Sequence, residues 1–298
     1  MTPGLRLQGR VFCLLALALV IASVAGVRLT PLHEVLATAA LISLLGMPHG
    51  ALDVVFARQL FGVSDLKGWA LFSLLYIGLA ACVVGVWFLA PTLFLCAFLV
   101  LSALHFGGDP AAGVSTLARV LYGGAVIVLP ALWHGVELQR LLGLVAGADS
   151  AAVVAPVLSQ MAAPWLAASV LACVVQAKTS RLAAVEWVAL AVLALAAPPL
   201  VAFTAYFCAM HSPRHILRTL ANLPRFEAPS AVALAMWATL AVFAVQAVIG
   251  WWSSHAPIRV LPVQAWVMQL VFVGLAALTL PHMVLLEKAR REGLPAHR

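Results

Sequence analysis

The sequence contains few charged residues. Asp, Glu, Lys and Arg make up 9% of the 298 residues, whereas about a quarter of the residues in a soluble domain are charged. Apolar residues make up 64% of the chain, and its mean hydropathy is +1.09. This composition excludes an ordinary soluble domain and predicts an integral membrane protein.

Motifs of several soluble enzyme classes are also missing. The five cysteines are scattered through apolar runs without a Cys-x-x-Cys pair, which argues against a disulfide framework or a zinc knot. The chain contains no glycine-rich phosphate loop and no serine nucleophile elbow. The net charge of +7 is consistent with arginines at helix ends beside anionic lipid headgroups. A nucleic-acid partner is therefore not expected.

The chain does have a series of apolar runs, each about as long as the 20 residues that a transmembrane helix needs. They lack the alternation of polar and apolar residues that is typical of a transmembrane β-barrel. We therefore predict an all-α, polytopic helical bundle that forms one membrane domain over residues 1–298, with a non-catalytic first helix and a loop or interfacial segment at 137–150. The ten predicted helices cover roughly 9–28, 34–59, 68–90, 92–108, 115–134, 151–177, 182–197, 199–220, 229–252 and 262–287.

The positions of Lys and Arg predict the orientation of the bundle. With ten crossings, Arg28, Arg140 and Arg259 fall on one side of the membrane, and the other 14 of the 17 basic residues fall on the opposite side. Because Lys and Arg collect in cytoplasmic loops, both termini are expected in the cytoplasm. An alternative is that residues 1–26 form a signal peptide, since two arginines precede an apolar run that ends in small residues.

Five of the nine histidines lie in even-numbered predicted helices, along which the chain runs towards the cytoplasm. His49, His105, His211, His215 and His282 are therefore expected at similar depths, between the middle of the membrane and its cytoplasmic face. Polar side chains inside a membrane are costly and usually functional, and metal ligands in helical bundles project inward from facing helices. The pattern predicts a metal site shared by the helices at about 34–59, 92–108, 199–220 and 262–287.

Two of these histidines begin the same short motif, in which an aspartate follows four residues later. In His49–Asp53 and His105–Asp109 the carboxylate could accept a hydrogen bond from a metal-bound imidazole, on its own helix or across helices. Neutral imidazoles with open coordination positions suit an iron that activates O2. The alternative is that both carboxylates meet water or pair with basic residues near the cytoplasmic surface, which are Arg58, Arg119 and Arg214. Arg214 itself is expected to face lipid headgroups or a helix C-terminus rather than the metal site.

Four segments resemble, in order, the signatures of the Brp/Blh family of integral membrane β-carotene 15,15′-dioxygenases. They are Gly46–Asp53 (GMPHGALD), Leu104–Asp109 (LHFGGD), His211–His215 (HSPRH) and Leu280–Met283 (LPHM). The resemblance implies a multi-pass enzyme of the bacterial cell (inner) membrane that uses iron(II) and O2. Its carotenoid substrate would be β-carotene, and its product retinal would serve a rhodopsin.

The resemblance also implies roles for the motif residues. The four histidines that hold iron in the family correspond to His49, His105, His211 and His215. The remaining polar residues of the motifs would then support the metal site or the fold, and these are Asp53, Asp109 and His282. No residue is singled out as substrate-binding, and the oligomeric state is not predicted.

Two other classes of membrane protein fit the sequence less well. A di-iron membrane oxidase, such as a carotenoid hydroxylase or a lipid desaturase, usually needs about eight histidines in closely spaced pairs, and only His211 and His215 form such a pair. A metal or heme transporter would place polar residues along a path through both leaflets. The histidines on the far side of the predicted bundle are few and close to loops, so both alternatives are disfavoured.

Overall fold

A computed structural model describes residues 2–110, 114–223, 228–255 and 261–293. All regular secondary structure in these ranges is helical. The α-helices are α1 (Pro3–Val24), α2 (Pro31–Leu41), α3 (Asp53–Phe61), α4 (Leu66–Leu89), α5 (Pro91–Phe106), α6 (Thr116–Val128), α7 (Gly135–Ala146), α8 (Ala148–Ala177), α9 (Arg181–Ala196), α10 (Pro199–Tyr206), α11 (Ser212–Ala221), α12 (Ala228–His255) and α13 (Val263–Arg291).

Two of the predicted helices are interrupted at their histidine motifs. Between α2 and α3 the chain forms a π-helical turn (Ile42–Gly46) and then a 3-10 turn (Met47–Leu52), and between α10 and α11 it forms a second π-helical turn (Phe207–His211). Pro48 and Pro213 follow the two π-helical turns and have no N–H to continue the helical hydrogen bonding. Such π-helical turns are rare and are frequently found at functional sites.

The predicted segments fall on observed helices, although ten membrane crossings are not confirmed. In the described residues, six helical segments are long and apolar enough to cross a membrane. A seventh is added if Thr116–Leu132 and Gly135–Ala146, which are bent by 114° at a short break, count as one span. The cytoplasmic location of both termini stays a prediction, and Arg259 lies outside the described residues.

A loop at 137–150 is not observed, so that part of the prediction is wrong, and an interfacial location of this segment stays a prediction. Most of this stretch is α7, which begins at Gly135 and ends before Gly147, whose φ of 88° stops the helix. One face of α7 carries Leu141, Leu142 and Val145, which are buried in the core. Burial of this apolar face against α8 and α13 stabilises a helix that the glycines of its sequence would otherwise weaken.

The apolar residues divide between a packed interior and an exterior belt. The helix α13 has the largest buried face, whereas α4 has no buried residue. Leu66 and Leu89 of α4 are 85% and 88% exposed. Exposed apolar surface on this scale is typical of a membrane-facing helix. We therefore expect the five histidines of the motifs on the inner faces of the bundle.

Candidate metal centre

The five histidines lie together in the interior of the bundle. Nε2 of His105 is 2.9 Å from Nε2 of His211. The ring centroid of His49 is 5.0 Å from that of His211, 5.6 Å from that of His215 and 5.5 Å from that of His282. Four separate helical segments therefore bring their imidazoles to one place.

Three of these side chains form a group that could hold a metal ion. His49, His105 and His282 each offer a ring nitrogen, and the three nitrogens lie within 4.8 Å of one another. The 2.9 Å between His105 and His211 is close to the separation of about 3 Å that follows for two nitrogens bonded at a right angle to a metal about 2.1 Å away. Nε2 of His282 is buried and has no hydrogen-bond partner among the residues that the structure describes, as expected of a nitrogen that binds a metal. The donor set fits a metal ion that prefers imidazole.

His49 is oriented by the break that follows α2. Its Nδ1 donates a hydrogen bond to the carbonyl of Gly46 at 2.5 Å. A carbonyl only accepts, so the proton is on Nδ1 and the lone pair of Nε2 is left for a metal. The Phe207 ring packs edge-on at 5.4 Å from His49 and lies so close to Gly46 that a Cβ there would overlap it.

His211 is oriented by a carboxylate from another helix. Its Nδ1 lies 3.1 Å and 3.2 Å from the two carboxylate oxygens of Asp109, and the hydroxyl of Tyr206 donates to the same carboxylate at 2.5 Å. The carboxylate of Asp109 thus lies between two donors, the imidazole of His211 and the hydroxyl of Tyr206. Asp109 is therefore an acceptor that fixes the proton of His211 on Nδ1.

His282 has the same kind of support. Its Nδ1 donates to a carboxylate oxygen of Asp53 at 2.6 Å, and the hydroxyl of Tyr76 donates to the other oxygen at 2.8 Å. Asp53 and His282 are each 3% exposed. The structure thus places each aspartate of the two repeated motifs against a histidine of a different helix.

The surroundings of the two carboxylates argue against the alternative in which they meet water or pair with arginine side chains. Asp53 and Asp109 are 3% and 4% exposed, and in the described residues their carboxylates bind histidine and tyrosine side chains. Sequence reasoning had not singled out Tyr76 or Tyr206. The chain contains three tyrosines in total. A tyrosine inside an apolar run is therefore a sequence signal by which Tyr76 and Tyr206 could have been identified.

The two interrupted helices are joined to each other beside the site. The hydroxyl of Ser212 donates to the carbonyl of Leu45 at 2.7 Å, and the thiol of Cys208 donates to the carbonyl of Leu41 at 3.4 Å. These bonds satisfy backbone carbonyls close to the two helix breaks. They fix the turn that carries His211 relative to the segment that carries His49.

Arg214 is buried, so the prediction that it faces lipid headgroups is wrong, while its Nη1 donates to the carbonyl of Asp109 at 3.4 Å, shortly after the C-terminus of α5. The side chain of Arg214 is 1% exposed and makes two hydrogen bonds to Glu186, at 2.7 Å and 2.9 Å. Its Nε also donates to Oε1 of Gln8 at 2.9 Å. Glu186 and Gln8 are the only acidic and amide side chains of their apolar helices, α9 and α1, and such intramembrane polar residues are a signal for an internal contact.

Gln8 connects the first helix to the site. Its amide donates to the carbonyl of Ala209 at 2.7 Å. In an α-helix that carbonyl would accept from residue 213, but Pro213 has no N–H to donate. The side chain of Gln8 therefore supplies a donor to this carbonyl at the turn that carries His211.

Arg218 holds the turn that presents Asp109. Its guanidinium donates to the carbonyl of Gly108 at 2.8 Å and to the carbonyl of Asp109 at 2.6 Å. Arg214 and Arg218 lie one helical turn apart on α11. This helix therefore supports the turn that carries His211 and also the turn that carries Asp109, whose carboxylate orients His211. The role of α11 thus extends beyond His215.

In the described residues, the lining of an apolar cavity of about 90 Å³ contains no histidine but approaches the cluster through two aromatic side chains. Ser102, which lines it, is three residues before His105 on α5, and the opposite wall includes Phe203 and Phe272. Phe203 stacks on Phe207 with a centroid separation of 5.6 Å, and Phe207 stacks on His211 at 5.5 Å. Two aromatic rings therefore connect the cavity to the metal centre.

An apolar helical bundle with buried, carboxylate-supported histidines beside an apolar cavity defines a membrane protein with a histidine-rich metal centre. The family model described as beta-carotene 15,15′-dioxygenase matches residues 40–289 of this chain. The chain belongs to that family.

Two curated relatives are similar over most of their lengths. The beta-carotene 15,15′-dioxygenase of the uncultured marine bacterium 66A03 is 30% identical over 83% of this chain and 91% of the relative. The probable beta-carotene 15,15′-dioxygenase Blh of Halobacterium salinarum is 27% identical over 88% of this chain and 86% of the relative. No solved structure gives a significant match. Since the family match begins at residue 40, Gln8 and α1 lie outside it.

Proposed function

We propose that this protein cleaves the central 15,15′ double bond of β-carotene with O2 and releases two molecules of retinal. The observation that carries the proposal is the convergence of histidines from four helical segments in a member of the dioxygenase family. The reaction balances without a reductant, because one O2 supplies the oxygen atom of each new aldehyde as the carbon–carbon double bond is broken.

The metal in this proposal is iron(II), held by His49, His105, His211 and His215. The close approach of His105 and His211 and the packing of His215 at 5.6 Å from His49 support this set. Bound iron would supply the activation of O2.

The chain's own residues orient the ligands and exclude water. The Gly46 carbonyl and the Asp109 carboxylate fix the tautomers of His49 and His211. His211 and His215 are each 2% exposed, and the ring of Phe106 lies 4.8 Å from that of His211. Such a dry site suits a reaction of an apolar substrate with O2, in which no proton has to be transferred.

The substrate in this proposal enters from the bilayer and lies partly in the apolar cavity. The cavity is lined almost wholly by aliphatic and aromatic side chains, which is the lining that a polyene hydrocarbon requires. The short path from Phe203 through Phe207 to His211 would place a double bond of the bound chain beside the histidines.

The cellular setting follows as part of the same proposal. The protein would be a multi-pass protein of the bacterial inner membrane with both termini in the cytoplasm, surrounded by lipid. Its retinal would serve as the chromophore of a rhodopsin in the same membrane. The long apolar helices support the membrane location.

The direct test is expression in a bacterium that makes β-carotene. We expect the orange colour to fade and retinal to appear in the chromatogram, and we expect replacement of any one of the four histidines by Ala to prevent both changes while the protein still inserts. His134→Ala is the matched control, since His134 bonds the carbonyl of Leu195 away from the cluster. Unchanged β-carotene with iron-loaded wild-type protein would contradict the proposal.

Metal analysis separates the proposal from the di-iron alternative. We expect one iron per chain in the purified protein. Two irons per chain, together with a hydroxylated or desaturated product, would favour the membrane oxidase.

A further inference from the structure

The histidine cluster contains two supporting arms that are built alike. In one arm Tyr206 and His211 both bind the carboxylate of Asp109. In the other arm the carboxylate of Asp53 binds Tyr76 at 2.8 Å and His282 at 2.6 Å. In both arms the imidazole donates through Nδ1, so its Nε2 carries a lone pair.

The lone pair of His282 points to the same place as those of the other histidines. The ring of His282 lies 5.0 Å from that of His105 and 5.2 Å from that of His215. Its ligand nitrogen is within 4.8 Å of those of His49 and His105. Nε2 of His282 is buried without a hydrogen-bond partner in the described residues.

A histidine that serves only the fold would be expected to satisfy both of its ring nitrogens when buried. His282 satisfies one nitrogen with a carboxylate and leaves the other facing three imidazoles. Carboxylate support at Nδ1 with a free Nε2 is the usual arrangement of a metal-bound histidine. His282 lies within the continuous helix α13, directly after Pro281, which has no backbone N–H to donate.

We infer that His282 is a fifth imidazole ligand of the metal centre, and that Asp53 and Tyr76 are its positioning residues. This inference rests on the proposed function, because it assigns a ligand to the iron of that proposal. The five imidazoles would together hold the iron, which would supply the activation of O2 beside the polyene.

The inference is tested by metal binding, which is independent of turnover. Iron(II) affinity would be measured anaerobically by competition with a chelator, using detergent-purified wild type, His282→Ala and Asp53→Asn. We expect at least a tenfold loss of affinity for His282→Ala and a loss of about 10–100-fold for Asp53→Asn, the range typical when the partner of a metal-bound histidine is changed. His134→Ala should bind iron like the wild type.

X-ray absorption at the iron edge gives a second readout, which keeps the test valid if affinity changes through loss of structure. At iron concentrations that saturate each protein, His282→Ala should have one nitrogen neighbour fewer than the wild type, and added imidazole should restore it. His282→Gln serves in place of the Ala variant if the latter does not fold.

The outcomes separate this inference from the proposed function. If His282→Ala keeps wild-type iron affinity and an unchanged iron spectrum while the wild type forms retinal, the fifth ligand is wrong and the proposed function stands. If the wild type binds no iron, or binds iron but leaves β-carotene intact, the proposed function fails first.

Discussion

Asp109 binds Nδ1 of His211, 102 residues further along the chain, and His105 of its own motif instead approaches His211 through Nε2 at 2.9 Å. The His-x3-Asp motif is thus not a local pair. It supplies one imidazole to the cluster and one carboxylate to an imidazole of another helix. The same exchange joins Asp53 to His282.

This exchange predicts the effect of changing Asp109. In Asp109→Asn the amide no longer supplies a negative charge and can donate as well as accept, so the tautomer of His211 is no longer fixed. We expect iron affinity to fall by about 10–100-fold, with a parallel loss of retinal formation. Chelator competition measures the first effect and chromatography the second.

Asp65→Asn is the control for that change, because Asp65 caps α4 away from the site by accepting from the N–H of Gly68. Asn is an equally good cap, so this variant should behave like the wild type. Equal iron affinity in the two variants would show that Asp109 does not support the metal centre.

A second prediction concerns the close packing at Gly46. A Cβ at this position would overlap the ring of Phe207, and that ring stacks on His211. Gly46→Ala should therefore displace Phe207, destabilise the protein by about 1–3 kcal/mol and lower iron occupancy. Gly50→Ala, four residues later with nothing within 4 Å of its added Cβ, should do neither. Thermal unfolding in detergent and iron analysis compare the two, and equal effects would count against this packing argument.

The buried ion pair between Arg214 and Glu186 gives a third prediction. Their side chains are 1% and 3% exposed, so Glu186→Gln leaves a buried guanidinium without its countercharge. We expect a loss of about 3–5 kcal/mol in the free energy of unfolding. The double variant Glu186→Leu with Arg214→Met should lose less than the sum of the two single changes, because no charge is then left unpaired.

Unfolding by SDS titration, followed by circular dichroism, measures these free energies. Glu287→Gln is the control, since Glu287 pairs with Arg290 and Arg291 on the exposed surface and surface pairs contribute at most about 1 kcal/mol. Additive losses in the double variant would contradict coupling between Arg214 and Glu186.

A fourth prediction tests whether the first helix takes part in the site. Gln8→Ala leaves the carbonyl of Ala209 without its donor, which costs about 1–3 kcal/mol, and frees the turn that carries His211. We expect a several-fold fall in kcat with little change in KM, because Gln8 touches the metal-centre scaffold and not the cavity. Gln176→Ala, at the exposed end of α8, is the control. Unchanged kcat in Gln8→Ala would contradict this role and support the prediction of a non-catalytic first helix.

The sequence was sufficient to predict an all-helical fold and to identify the histidines of the candidate site. Long apolar runs locate helices because each must satisfy its backbone in lipid, and polar residues in such runs stand out because they are costly there. These two facts single out His49, His105, His211, His215 and His282, which the structure brings into one cluster, whereas the direction of the helices across the membrane stays a prediction.

The sequence was not sufficient to predict which side chains bind these histidines. Whether Asp53 binds His49 or His282 depends on how α13 packs, and helical spacing alone does not encode that contact. The π-helical turns at Ile42–Gly46 and Phe207–His211 change the facing of every later residue. The amphipathic α7 was missed because its glycines weaken a helix that tertiary packing then stabilises.

The final prediction concerns the cavity and the length of the substrate. Leu142 lines the cavity and is 7% exposed, so Leu142→Trp fills space that the proposed function assigns to one end of β-carotene. We expect KM for β-carotene to rise several-fold, while a shortened apocarotenoid that leaves the cavity empty is cleaved as by the wild type. Leu171→Trp, at a position that is 70% exposed on α8, is the control for adding an indole. The ratio of kcat/KM for the two substrates, measured by chromatography of the products, separates loss of space from general damage. If Leu142→Trp left this ratio unchanged, the substrate would have to lie on another side of the histidine cluster.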